Sequence, residues 1–593
     1  MSSNNIIKSI IKDFNDGKTA NAFLQIANLI KNNPENLDYL FLYAKMCNQL
    51  NKLEEAEKVL LFLITKNKTS TRYFHNLYSV YLKKNNIIKS EIFIKKLLEI
   101  DKNHYEAQRD LGFIEYTKNN INVAQTILEK IVNEKNNDPF ALNILGLIFL
   151  KKELIEKAKK LFDRAITVNP KYIDSYNNLG KTYFDLEDLD KAFILFKKAY
   201  KINKNYAKTL INIGNYLSLK DKNQFAVNAY KKALLYEPQN TEIFSNIALA
   251  YARNKDFDNT KKYYDKSIIN RNVNPSLDLS LSYLYIYKNQ FDQAWKLFES
   301  RKETSKFLKS NKKSIIKKTS IAQKELILDK KILILREQGI GEEILFSSMY
   351  KELLSINNNI KIETDKRLIS IFERSFDSNI FFPDGYYSKN KEKLKSFDSL
   401  IFAGSLCNYF RKNKSNFLKK SYLIDNYSKT MKIKDDPIFK NKNLKIGLSW
   451  KSVVSVYGKL KSLNLSDFKP LLKNNRQFIN LQYGSVDKEI KKTENENFNI
   501  YSFKKINLFN DLEDLMSILK NLDVFVTVSN STAHLAAAMG VKTLLICPKK
   551  SSTYFYWSNE NNKTPWYQNV QIFQIDKSLK QTLEQINEVI NQL

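Results

Sequence analysis

Three short stretches of this 593-residue chain carry residue types whose spacing could do chemistry. In EQGIGEE, Gly339 and Gly341 allow a tight approach between a strand and a helix. They place Glu342 at the helix start, as a first-turn acid that complements the helix dipole or as a carboxylate facing a cleft. In SWKSVVSVYGKLKSLNLSDF, Lys459 and Lys461 lie in a polar loop after a strand, where a lysine can offset the charge of a diphosphate leaving group. In VFVTVSNSTAHLAAAMGVKTLLICP, Val524 to Pro548, a buried strand meets the polar turn Ser529, Asn530 and Ser531. A helix of small residues with Thr532 and His534 in its first turns follows, then a glycine stop and a second strand. Such a βαβ turn presents free backbone N–H groups and the positive end of a helix dipole, which favours a phosphate-bearing ligand. A lone helical histidine is more often packed or capping than catalytic. No HExxH, paired CxxC or DxD-like acid pair occurs, so a metal mechanism and a metal cofactor are not expected.

Two α/β units are required to position these residues. The first runs from the apolar strand KILILR (Lys331 to Arg336) through an amphipathic helix, Glu342 to Leu354. The strands KIETD and SLIFAG follow, with a helix around Leu368 to Phe376. A polar segment, about Tyr427 to Asn443, separates it from a second unit built on KIGLSW, FINLQYG, the βαβ element and VQIFQI. A terminal helix from Leu579 closes the chain. Continuous apolar strands alternating with helices predict parallel sheets covered on both faces, and two consecutive doubly wound units imply a cleft between them.

The first half is periodic. Ala44, Tyr78, Gly112, Gly146, Gly180, Gly214, Ala248 and Ser282 recur every 34 residues, and so do Ala56, Ser90, Ala124, Ala158, Ala192, Ala226, Thr260 and Ala294. Pro34, Pro170 and Pro238 share a third phase. Small residues let two antiparallel helices approach, and proline ends the second of each pair. The register resembles the tetratricopeptide repeat, clearest in NNLGKTYFDLEDLDKAFILFKKAYKIN (Asn177 to Asn203). Eight repeats span about Leu37 to Leu308 after a degenerate first one. The resemblance implies a concave groove that holds a protein or peptide, with Tyr176, Asn177, Asn212 and Asn246 either contacting that chain or packing between repeats.

The expected organisation is an α-solenoid over 1–308, a basic linker or cap over 309–330, and a GT-B-like pair of Rossmann-type units over 331–430 and 431–593. From Arg301 to Lys331 eleven residues are basic and three acidic. This run reads as a solvated linker or capping helix, with peripheral contact to an anionic membrane surface as the other reading. The formal charge of +33 comes mostly from lysine scattered over the whole length. It forms no single stripe, and without a helix-turn-helix or RNP-type signature nucleic acid is not the expected partner. No apolar run of membrane-spanning length and no secretory leader are legible, so the default compartment is cytoplasmic. Cys47, Cys407 and Cys547 are far apart and read as reduced structural thiols.

Taken in order, LREQGIGEEILFSSMYKELL, DKRLISIFERSF, AGSLCNYFRKN, GLSWKS, FINLQYG, VSNSTAHLAAAMG and TPWYQNVQIFQ form a set. It resembles bacterial tetratricopeptide-repeat proteins whose C-terminal half is similar to heptosyltransferase-type, family-nine glycosyltransferases of the GT-B fold. That resemblance implies a nucleotide-diphospho-sugar held mainly by the second unit and an acceptor bound by the first. The family's Gly-Asp base maps to Gly341 and Glu342, one methylene longer, and its lysine maps to Lys461 or, less closely, Lys459. Its Asp-Thr pair maps to Ser529 and Asn530, so a carboxylate is replaced. The implied activity is metal-independent sugar transfer to an acceptor recruited by the repeats. The rival reading is a non-catalytic repeat scaffold with a degenerate glycosyltransferase-like half.

Overall fold

A computed structural model describes residues 3–134, 138–269, 274–305, 308, 310, 312–418, 420–452, 461–472, 476–494, 498–547, 555–557, 563–575 and 578–593. The chain divides into two units, Met1–Tyr216 and Leu217–Leu593.

The first unit is helical throughout. Its helices come in antiparallel pairs, such as Leu37–Gln49 with Leu53–Lys66 and Ile173–Asp185 with Leu189–Ile202. The small-residue series sits where two helices touch. A Cβ added to Gly112, Gly146 or Gly180 would lie 2.8 Å from Leu128, 2.5 Å from Phe162 or 2.6 Å from Phe196, and Ala56, Ala124, Ala158 and Ala192 are fully buried. The structure adds a further phase. Asn51, Asn85, Asn119, Glu153, Glu187, Asp221, Lys255 and Asn289, again 34 residues apart, all adopt left-handed backbone with φ between 55° and 66°. Each ends the first helix of a pair, a place where asparagine is tolerated and glycine is usual.

Of the four side chains weighed for the groove, three are taken up between repeats. Asn177 is fully buried and donates to Thr209 Oγ1 at 2.8 Å, while Asn212 Nδ2 donates to Asn177 Oδ1 at 3.0 Å. Tyr176 is 7% exposed, and Asn246 keeps partial exposure. Buried amides are held by partners of their own kind because leaving one unpaired costs about 1–3 kcal/mol.

The second unit begins with the later helix pairs, ending in Pro275–Tyr287 and Phe291–Phe298, and continues into two parallel sheets. Sheet one has the order β3-β2-β1-β4, with β1 Ile332–Leu335, β2 Ile360–Thr364, β3 Phe381–Pro383 and β4 Ser399–Phe402. Sheet two has the order β10-β9-β8-β5-β6-β7, with β5 Leu444–Ser449, β6 Arg476–Asn480, β7 Ile500–Tyr501, β8 Val524–Val528, β9 Thr543–Cys547 and β10 Val570–Gln574. Every ladder is parallel. β1, β4, β8 and β9 are buried along their whole length, as strands covered on both faces must be.

Three local readings change and one short strand went unread. The helix expected over Glu342 to Leu354 is two helices, Ile340–Ser347 and Tyr350–Ile356. At the Ser347–Ser348 pair the amides of Ser348 and Met349 bond three residues back, which breaks the α-helical ladder. The polar segment from Tyr427 is largely helical, Tyr427–Lys434 and Pro437–Lys440, and packs on the second lobe's helix Leu512–Lys520. The strand β3, only three residues long, was too short to be legible. The basic run does not lie free in solvent where it is described: Leu308 and Ile315 pack on Leu333, Leu335, Leu400 and Phe402, and Ser320 N donates to Leu400 O at 2.8 Å. Its Lys312 is 3% exposed and bonds Glu363 Oε2 at 3.0 Å and Asp384 Oδ1 at 2.5 Å.

One hydrophobic core runs through the last helix pair and both lobes, joining Phe291, Trp295 and Phe298 to Phe346, Met349, Phe555 and Trp566. Arg301, 1% exposed, seals this junction with a 2.7 Å bond from Nε to Glu337 Oε2 and a 2.9 Å bond from Nη2 to Ser405 Oγ.

Candidate functional site

The first-lobe turn leaves β1 at Leu335 and starts the helix Ile340–Ser347 with Gly339 as its N-cap. Its three acids go three ways. Glu337, 1% exposed, faces Arg301 and the Gly404 amide. Glu343 turns to the carboxyl edge of sheet one, accepting from Thr364 Oγ1 at 2.7 Å and Asp365 N at 2.9 Å, with Arg336 at 2.6 Å. The Gly339 amide acts to favour the charged form of the Glu342 carboxyl. Glu342 also keeps some solvent access and faces the second lobe. Burial lifts its carboxyl to about 7, against the pull of the Lys461 ammonium.

Lys461 is 4% exposed. Burial lowers its ammonium to about 8, with Glu342 acting in the opposite direction. The same neighbourhood holds Tyr556 and, from the repeat helix Pro275–Tyr287, Tyr283, whose ring stacks on Phe555 at 5.1 Å and 13°. Burial and then the Glu342 charge push the Tyr283 phenol above its ordinary range. Lys459 lies outside the described residues.

The second-lobe turn follows β8. Asn530 is a structural cap: its Oδ1 accepts from Ala533 N at 3.0 Å and its Nδ2 donates to Ser449 Oγ at 2.8 Å. Ser449 in turn donates to Gln482 Oε1 at 3.0 Å, so one hydrogen-bonded chain gathers the carboxyl ends of β5, β6 and β8. Ser529 Oγ accepts the Trp557 indole N–H at 2.8 Å. Ser531 and Thr532 border a cavity of about 30 Å³ walled by Arg367, Tyr483, Phe509 and aliphatic side chains of both lobes. His534 is 2% exposed, with Tyr556 and Trp557 at ring distances of 4.7 and 4.4 Å. Burial, reinforced by Lys461, drops its imidazole to about 3, so it is neutral at physiological pH.

The two turns meet because their helices, 340–347 and 531–538, pack on each other. Gly341 is the contact point: a Cβ there would stand 2.8 Å from His534 Cδ2. The tight approach read from the GxG spacing is therefore between helices of the two lobes. Arg374 clamps Glu513 through two bonds of 2.9 and 2.8 Å, and Arg367 Nη1 donates to Phe509 O at 2.8 Å, holding the lobes together beside the cavity. Glu342, Lys461, Gly339, Gly341 and His534 are thus brought to one place. Asn530 and Ser529 have side chains bonded within the second lobe. Sequence reasoning missed Tyr283, Tyr556 and Tyr567, whose only signal was aromatic density in SYLYIY, FYW and TPWYQN. Among the described residues no group of three His, Cys, Asp or Glu is arranged to hold a metal ion, and no helix is long and apolar enough to cross a membrane.

The fold and site define a helical-repeat protein whose last repeats run into a two-lobed, all-parallel α/β region. Residues 141–172 and 173–206 match the tetratricopeptide repeat, so the N-terminal region carries repeats of that family. Protein FlbA of Caulobacter vibrioides is 25% identical over 270 residues, 41% of this chain and 43% of FlbA; the chain therefore spans less than half the length of that curated relative. Among solved structures, the chain is similar to the APC/C hetero-tetramer Cut9–Hcn1, with 14% identity, coverage of 45% of this chain and 53% of that one, and TM-score 0.39. It is also similar to a thermophilic tetratricopeptide-repeat protein of Thermus thermophilus, with 23% identity, coverage of 31% and 99%, and TM-score 0.28. A third likeness is to YrrB, described as having an unusual peptide-binding site, with 20% identity, coverage of 31% and 95%, and TM-score 0.25.

Proposed function

We propose that residues 331–593 form a metal-independent glycosyltransferase of GT-B type, which transfers a sugar from a nucleotide-diphospho-sugar to a protein or glycan acceptor recruited by the repeats. The observation that carries this reading is the burial of Glu342 and Lys461 near enough for each to shift the other's protonation, where two helix starts from two parallel α/β lobes pack together. A carboxylate with a pKa of about 7 is poised to take a proton from an acceptor hydroxyl at neutral pH. A buried ammonium and the amino end of helix 531–538 supply the positive potential that a departing nucleoside diphosphate requires. In the transfer step the acceptor oxygen attacks the anomeric carbon, Glu342 takes the hydroxyl proton, and the C–O bond to the diphosphate breaks with its electron pair leaving on the nucleotide. Ser531 and Thr532 border the cavity, with Tyr483 and Phe509 as its aromatic wall; at about 30 Å³ it would have to open for a nucleotide sugar to enter.

The test is equilibrium binding of the full chain to UDP-, GDP-, ADP- and dTDP-sugars, followed by donor hydrolysis and transfer. Glu342→Gln should retain nucleotide-sugar binding and lose transfer by two to four orders of magnitude. Binding of none of these donors sinks the reading. Binding without turnover in the wild-type chain identifies a scaffold with a nucleotide-sugar sensor instead.

A further inference from the structure

His534 is buried, yet only one of its ring nitrogens is turned toward a phenol. Nδ1 lies 3.0 Å from the Tyr567 hydroxyl, whereas Cδ2 and Nε2 lie 2.8 and 3.5 Å from the Cβ position of Gly341, on the side of the first-lobe turn. Tyr567 is itself part of a chain. Tyr422 donates its proton to Ile344 O at 2.8 Å, and the Tyr422 and Tyr567 oxygens are 3.5 Å apart. The Tyr422 proton is thereby committed to a carbonyl, which can only accept. The Tyr567 proton then has two acceptors, a phenol oxygen at 3.5 Å and an imidazole nitrogen at 3.0 Å, and the nearer, more basic nitrogen wins.

We propose that Tyr567 is a positioning residue that fixes His534 as the Nε2–H tautomer and aims that N–H toward the Gly339–Glu342 turn, where it can donate to a ligand oxygen in the cleft. The ring cannot turn over to exchange its nitrogens, because Trp557 covers one face at 4.4 Å and Tyr556 meets it edge-on at 4.7 Å. The charged and titratable groups around it are Lys461, Tyr556 and Tyr567 of its own lobe and Glu342 on the facing helix. Lys461 and burial both act against a second ring proton. A neutral, single-tautomer imidazole offers a donor that does not switch with pH, unlike a free histidine. The ligand-facing role rests on the proposed sugar transfer; the tautomer assignment does not.

The test uses the full chain labelled with ¹⁵N-histidine. There are three histidines, and His534→Gln assigns one by its loss. The expected result is a protonated Nε2 and a bare Nδ1 for His534, unchanged from about pH 5 to 8. In Tyr567→Phe, nitrogen shifts should move toward the average of two exchanging tautomers, while Tyr422→Phe keeps the single tautomer. An Nδ1–H form, a titration near about pH 6.5, or unaltered shifts in Tyr567→Phe overturns the proposal. If Tyr567→Phe does not fold, the wild-type and Tyr422→Phe spectra still decide. UDP, GDP and ADP added singly should shift the His534 Nε2–H resonance. No shift with any of them, the tautomer being intact, refutes the ligand-facing role and leaves the tautomer assignment in place.

Discussion

Replacing Gly341 by alanine puts the packing of the two helix starts to a quantitative test. The added methyl carbon would stand 2.8 Å from His534 Cδ2, while carbon atoms rest about 3.5–4.0 Å apart. Something must yield by roughly 1 Å. The imidazole has little room, with Trp557 at 4.4 Å, Tyr556 at 4.7 Å and Tyr567 bonded at 3.0 Å, so the helices must separate. Overpacking of this size costs about 1–3 kcal/mol. Alanine returns at most about 1 kcal/mol of helix preference, and less in a first turn, which leaves a net loss of about 1–2 kcal/mol. Gly339→Ala is the control, because its Cβ would meet nothing nearer than Glu342 Oε2 at 3.7 Å. All four tryptophans, Trp295, Trp450, Trp557 and Trp566, lie in the second unit, so urea unfolding followed by their fluorescence reads this region selectively. Gly341→Ala should lower the midpoint by more than Gly339→Ala, whose cost is limited to the N-cap preference of glycine over alanine. His534→Ala in the Gly341→Ala background should recover part of the loss, with a coupling of about 1 kcal/mol or more. A Gly341→Ala chain as stable as the wild type refutes the close approach.

Two further outcomes follow from the same geometry. The kcat/KM for transfer, which reports the ligand-free groups, should be bell-shaped in pH: Glu342 must be ionised, which gives a rising limb near its value of about 7, and Lys461 protonated, which gives a falling limb near about 8. The doubly charged pair then peaks near about pH 7.5 in roughly 0.6 of the molecules and drops to roughly 0.1 at about pH 6 and pH 9, about a six-fold fall in rate on either side; a flat profile over that range removes the pair from the mechanism. Arg301→Met should destabilise the tryptophan-reported transition by about 3–5 kcal/mol, because it leaves Glu337 charged, buried and without its guanidinium, and an unchanged midpoint shows that the junction between the last repeat and the first lobe is not set by this ion pair.

How much of this was legible in the sequence depended on whether a residue's partner was near it along the chain. The 34-residue phases were readable because each repeat supplies its own contact, Gly146 against Phe162 or Gly180 against Phe196, at a fixed separation. The parallel strands were readable because burial on both faces removes polar alternation, as in VFVTV and TLLIC. The left-handed series escaped notice because asparagine, glutamate, aspartate and lysine fill it with no common side-chain type. Glu342 was correctly located at a helix start, yet nothing local to it reveals Lys461, more than a hundred residues away, or Tyr283 in the preceding repeat. Arg301 was counted as one more member of a basic run. Its burial depends on Glu337 and Ser405, which only the tertiary fold brings to it.

The serine at position 529 has a physical context that its sequence setting could not supply. Its Oγ accepts an indole N–H from Trp557 at 2.8 Å, a bond that a carboxylate could also receive, so serine retains the acceptor and gives up the charge. The charge matters because Lys461 and Glu342 are buried close enough to move each other's pKa. Ser529 adds no charge of its own to this neighbourhood. With serine there, a ligand phosphate that engages Lys461 competes against Glu342 and simultaneously weakens the attraction that holds Glu342 ionised. If the proposed transfer operates, donor binding would lift the Glu342 pKa above its ligand-free value, making the carboxylate a stronger base but leaving less of it ionised at neutral pH, so the optimum of the donor complex should lie at higher pH than that of the free protein.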